Sequence, residues 1–158
     1  MDFEYTVTTS KDFASALANV QEEIVKAGMR VLHVHDVQAT LAEKGIGRDP
    51  YKIVEFCNAK YASEFLRADP KIGLCMPCKI NVYIHEGKVL ITGMRPIVLP
   101  QFFPHVDLGN KPEEVDTIVR SIIDKAKLPP SHLADGHQDN KKCCEICTPN
   151  RPPFSIEL

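Results

Sequence analysis

The sequence predicts one α+β domain. Three observations carry this: short runs alternate apolar and polar residues with period two, longer runs between them keep apolar residues at helical spacing, and Glu86-Gly87 forms a tight turn between two β-rich runs. The chain has 158 residues, 44% hydrophobic and 25% charged, enough for one domain with a core but cramped for two. The expected order is β-α-β-(short α)-β-α-β-β-α.

Phe3, Tyr5 and Val7 alternate with Glu4 and Thr6, as in a half-buried strand. Ser10 is a candidate cap for a helix whose Phe13, Leu17, Val20 and Ile24 share a face, and Gly28 ends it. Met29 to His35 is β-like, and Asp36 caps a short helix carrying Val37 and Leu41 as far as Gly45. After the Gly45–Pro50 loop, Tyr51 to Phe56 forms a third strand that delivers Cys57 to its end. Asn58 caps the next helix, with Tyr61, Phe65 and Leu66 expected towards the core. Asp69 to Gly73 is a turn, and Cys78–His85 with Lys88–Arg95 makes the hairpin.

Arg95 to His105 is apolar, punctuated by proline, and fits neither template, so it is expected to run half-buried over the surface. Asn110, Pro112 and Glu113 open a final helix with Val115, Ile118, Val119, Ile122 and Ile123 on one face and Lys125 and Lys127 at its negative end. Beyond Leu128 the chain turns proline- and cysteine-rich, with too little apolar surface to fold alone. The expected division is residues 1–128 as the domain and 129–158 as an extension.

Nineteen basic against 21 acidic residues give a net charge of −2, which supplies no electrostatic footprint for nucleic acid and no basic patch for a membrane. No segment approaches the ~18 apolar residues of a transmembrane helix. The acidic, alternating N-terminus lacks the features of a secretory signal, so a cytoplasmic address is expected. There, clustered thiols serve as metal ligands or redox groups more often than as structural disulfides.

From Phe3 to about Lys127 the chain resembles the domain-of-unknown-function 302 family. The match is carried by the Gly28-to-Val37 strand, Ala39-Thr40-Leu41, Pro50-Tyr51-Lys52-Ile53 running into Cys57-Asn58, Ala68-Asp69-Pro70 with Ile72-Gly73-Leu74, and Pro77-Cys78. The resemblance implies a curved antiparallel sheet with helices packed on one face, similar to the TATA-box-binding-protein-like fold, and often a homodimer. It implies no activity, and a fold shared with a DNA-binding protein gives no licence for DNA binding.

Chemistry concentrates in the cysteines. Cys75-Met76-Pro77-Cys78 has the Cys-x-Pro-Cys form of thioredoxin-like sites, but strand-like residues follow it, so the helix N-terminus which that chemistry uses is missing. Cys143, Cys144 and Cys147 supply a second chelating pair, most naturally Cys144 with Cys147. Two such pairs form a four-thiolate site for zinc or an iron–sulfur cluster, with Cys75, Cys78, Cys144 and Cys147 as ligands. The plainer alternative is a set of reduced, unliganded thiols.

Cys57 stands just before a helix cap, where a thiolate is favoured, although a buried inert cysteine is the plainer reading there too. His33 and His35 share a strand face at ligand-like spacing, His85 lies in the hairpin, and His105 follows two phenylalanines. His132 and His137 precede the last cysteines, and His137 is the better substitute for one thiolate. Phosphate loops, nucleophile elbows and His-Glu-x-x-His are absent from the sequence.

Three functions follow as expectations. The first is a thiolate metal-binding module without catalysis. The second is a thiol-disulfide or sulfur-transfer enzyme at the same cysteines. The third is a dimeric small-ligand or interaction module built on the Pro96-to-His105 segment and the sheet.

Overall fold

The structure is a computed structural model that describes residues 2–128. It is an α+β fold in which five antiparallel strands form an open sheet and helices pack on one face. The strands are β1 (Glu4–Thr9), β2 (Arg30–Asp36), β3 (Tyr51–Cys57), β4 (Cys78–His85) and β5 (Lys88–Met94), in sheet order β1-β5-β4-β3-β2. The helices are α1 (Phe13–Lys26), α2 (Val37–Ala42), α3 (Ala59–Ala68), α4 (Leu99–Phe102) and α5 (Lys111–Lys127), with 3-10 turns at Pro70–Cys75 and Pro96–Val98. The order expected from the sequence is observed with one addition, α4 between β5 and α5.

Alternation builds the core face. Val54 and Phe56 of β3, Ile80 and Val82 of β4, and Ile91 of β5 are buried together under Ala16, Val20 and Ile24 of α1 and Val119, Ile122 and Ile123 of α5. Gly93 lets α5 come this close. A Cβ there would sit 2.8 Å from Ile123 Cδ1 and 3.1 Å from Val119 Cγ1, nearer than side chains tolerate. The end of α5 is tied to β1, where Tyr5 Oη donates to Asp124 Oδ1 at 2.8 Å and Thr9 Oγ1 donates to the Lys127 carbonyl at 3.0 Å.

Some local details differ from expectation. Asp12, not Ser10, caps α1, because its extended backbone lets the carboxylate accept from Ser15 N at 2.9 Å. Gly28 does end that helix, at φ 73°, a conformation glycine takes without a Cβ clash. In α3 Phe65 is buried and Tyr61 half-buried, whereas Leu66 faces solvent. The Pro96-to-His105 segment is not an irregular surface run: it winds into the 3-10 turn and α4, with Pro96, Val98 and Leu99 buried. Pro96 and Pro100 fall in first turns, where a missing N–H forfeits no helical bond, so they start these helices rather than break them. A bulge at Leu32 re-phases β2, which keeps Val31 and Val34 facing the core and puts His33 and His35 on the opposite face.

Candidate functional site

Sheet register brings the cysteines together. In β3 and β4, Phe56 lies opposite Cys78, so Cys57 at the end of one strand and Cys78 at the start of its neighbour meet at the same edge of the core. Cys75 closes the Pro70–Cys75 turn three residues earlier, and the Met76–Pro77 peptide bond between the two is cis. All three thiols are free and line one small apolar cavity of about 40 Å³.

The same cavity is lined by Met29, Met76 and Met94. Every cysteine and methionine among the described residues therefore borders one space. Met29 comes from the junction of α1 with β2, Met76 from the loop before β4, and Met94 from the end of β5. Helix α3 covers the cavity with Tyr61, Ala62 and Phe65, and Pro96, Leu99 and Val115 close the far side.

Asn58 sets the position of that cover. Its Oδ1 accepts from Lys60 N at 3.0 Å and Tyr61 N at 3.4 Å, capping α3, while its Nδ2 donates to the Gly28 carbonyl at 3.0 Å, next to Met29. Outside the cavity lies a groove of about 270 Å³, which shares Cys75, Cys78 and Met94 with it. Phe3, Leu74 and Phe102 rim the groove, 57, 88 and 61% exposed.

Burial pushes the Cys78 thiol up from its ordinary value of 9.0 to about 11, with Cys57 adding to the rise and Lys79 opposing it. Cys78 is thus a protonated thiol at neutral pH. The folded protein holds this proton more tightly than the unfolded chain does, so the associated stability is complete below pH 9.0 and is lost as pH rises towards 11. Over that window the wild type should lose on the order of 2 kcal/mol more stability than Cys78→Ala. Urea denaturation at a series of alkaline pH values checks this, and parallel pH profiles for the two proteins would contradict it.

Cys75 ends its 3-10 turn and Cys78 opens a strand, so neither has the helix N-terminus that a thioredoxin-like cysteine uses. Cys57 does precede α3, and its thiol donates to the Asn58 carbonyl at 3.7 Å.

Cys75 and Cys78 both line the cavity, and Cys57 joins them, which sequence reasoning left open. Cys143, Cys144, Cys147, His132 and His137 lie outside the described residues. Among the described residues, no group of three or more His, Cys, Asp and Glu side chains is arranged to hold a metal ion. His33 and His35 do share a face, their rings 4.4 Å apart edge to face, and His35 Nε2 lies 3.3 Å from Glu55 Oε2. His85 and His105 are exposed. The methionines were the residues missed. Their only signal in the sequence was the placement of Met29, Met76 and Met94 at element boundaries, two of them within a few residues of a cysteine or a proline turn.

No helix among the described residues is long and apolar enough to cross a membrane. A family model described as "Domain of unknown function DUF302" matches residues 5–126. Among solved structures, the chain is similar to the crystal structure of an uncharacterized conserved protein DUF302 from Bacillus stearothermophilus. The two share 26% identity at a TM-score of 0.75, over 80% of this chain and 99% of that one. No curated protein matches this chain.

Proposed function

The chain belongs to the DUF302 family, a domain of unknown function, and from its site we propose that it is a binding module for a thiophilic metal ion rather than a thiol-exchange enzyme. No group of three His, Cys, Asp or Glu among the described residues is arranged to hold a metal ion, so two ligands are drawn from Cys57, Cys75 and Cys78, and Cys144 and Cys147, outside those residues, would complete a zinc or iron–sulfur set. One observation carries this reading: all the sulfur-bearing side chains among the described residues converge on one cavity.

Two further points support it over its rivals. Thioredoxin-like exchange uses a cysteine at a helix N-terminus, and neither Cys75 nor Cys78 stands at one. An organic ligand needs a pocket of roughly 300–1,000 Å³. The cavity, at about 40 Å³, has room for an ion or a few water-sized groups, and the groove beside it, at about 270 Å³, falls just short of that range.

The test is elemental analysis of the full-length protein purified anaerobically, followed by titration with Zn(II) and Cu(I). A stoichiometric thiophilic metal is expected, lost in the Cys57→Ser/Cys78→Ser double variant. No metal on isolation and no uptake on titration would overturn the proposal, as would uptake unchanged in that variant. Soluble, cooperatively melting variant protein is the condition for reading the comparison.

A further inference from the structure

The geometry points to a more specific occupant: the cavity selects a monovalent soft ion, Cu(I), over zinc, through a mixed set of thiolates and methionine thioethers. This rests on the metal-binding reading above and names its ion.

The argument begins with the donors. Met29, Met76 and Met94 arrive from three separate elements and line the cavity beside the three thiols. Methionine is a common filler of irregular gaps. Filler alone does not account for every internal methionine of the chain bordering the one cavity that also holds its described cysteines. A thioether is a neutral, soft donor that suits Cu(I) and adds little for zinc, which takes thiolate, imidazole or carboxylate in a tetrahedral set.

Harder donors are missing from this wall. Among the described residues, the cavity lining includes no carboxylate, imidazole or amine, and its polar side chains are Asn58 and Tyr61. Both have other partners: the Asn58 amide caps α3 and binds the Gly28 carbonyl, and Tyr61 Oη donates to Glu114 Oε2 at 3.3 Å. The donor side chains left to an ion here are therefore the sulfurs.

Charge and coordination number agree with this choice. In an apolar cavity each ionised thiol carries a desolvation cost, so an ion of single charge paired with one or two thiolates leaves little net charge behind. A Cu(I) ion is satisfied by two or three sulfurs, whereas a structural zinc site takes four ligands. Among the described residues no group of three or more His, Cys, Asp or Glu is arranged to hold a metal ion, so at most two thiolates engage here and methionine sulfur completes the set. Binding replaces a proton by the ion at each thiol engaged, Cys–SH plus Cu(I) giving Cys–S–Cu(I) plus a released proton, with no change of oxidation state. The groove beside the cavity, where Cys75, Cys78 and Met94 stand with Lys79, Phe3, Leu74 and Phe102, gives the ion a way in.

The experiment is an anaerobic Cu(I) titration of the full-length protein against a chromophoric Cu(I) chelator, with a parallel Zn(II) titration. It compares wild type with Met76→Leu/Met94→Leu, substitutions that keep volume and apolarity. The double variant should bind Cu(I) at least ~10-fold more weakly, the lower bound set by what loss of an outer-shell partner costs, with Zn(II) affinity unchanged, and the Cys143→Ser/Cys144→Ser/Cys147→Ser variant should retain Cu(I). Equal Cu(I) affinity in the wild type and the methionine variant would overturn the inference. So would uptake of Zn(II) without Cu(I), which leaves the broader metal-binding reading standing. Uptake of neither ion overturns both.

Discussion

Replacing Asp116 with alanine is expected to lower the stability of the protein by about 3–5 kcal/mol. The carboxylate, 4% exposed, accepts from Arg95 Nε at 3.1 Å and from Arg95 Nη2 at 3.0 Å. Arg95 is itself 16% exposed, so truncating Asp116 leaves a guanidinium with little water to replace its partner. Arg95 directly precedes Pro96 and Asp116 directly follows Val115, and both of those residues line the sulfur cavity, so the pair fixes two of its walls. Urea denaturation measures the loss. The paired replacement Arg95→Met/Asp116→Leu should recover most of it, since removing both charges leaves neither one stranded. A change below about 1 kcal/mol in the single variant would show that the pair does not clamp α5 to the sheet end.

Phe65→Ala should be of similar size, about 3–5 kcal/mol, combining lost burial with the void left behind. Phe65 is 5% exposed and forms part of the cover that α3 lays over the cavity. Its removal also has a chemical consequence. Burial is the main cause that raises the Cys78 thiol to about 11, so admitting water should bring it back towards 9.0. Alkylation of Cys78, followed by peptide mass spectrometry at mildly alkaline pH, should therefore be faster in Phe65→Ala than in wild type. Unchanged labelling with unchanged stability would mean that α3 does not seal the site.

The architecture was legible because its signals are local. Alternation in Phe3–Val7, helical spacing in Val115–Ile123, the caps Asp36 and Asn58, and the Glu86-Gly87 turn each state an element without reference to the rest of the chain. Ser10 and Asp12 carry equally good acceptor oxygens for the α1 cap, and only the backbone conformation selects Asp12. Pro96 and Pro100 read as breaks because proline is scored against helix interiors, yet both occupy first turns.

The site was half legible for a different reason. The Cys75–Cys78 spacing and the strand after it are local, and they argue against thioredoxin-like chemistry without reference to the fold. The arrival of Cys57 depends on β3 lying beside β4 in the register that sets Phe56 opposite Cys78. The convergence of Met29, Met76 and Met94 depends on how α1, the loop before β4 and the end of β5 meet at one edge. Pairing across a sheet of non-sequential strand order leaves no mark in the spacing of these residues along the chain.

X-ray absorption at the copper K-edge, on full-length protein loaded anaerobically with Cu(I), tests the sulfur cavity most directly. The account predicts a Cu(I) ion with sulfur neighbours alone, at a signal that falls when Cys57 and Cys78 are changed to serine. Nitrogen or oxygen neighbours around the metal, or a spectrum indifferent to those two cysteines, would contradict it.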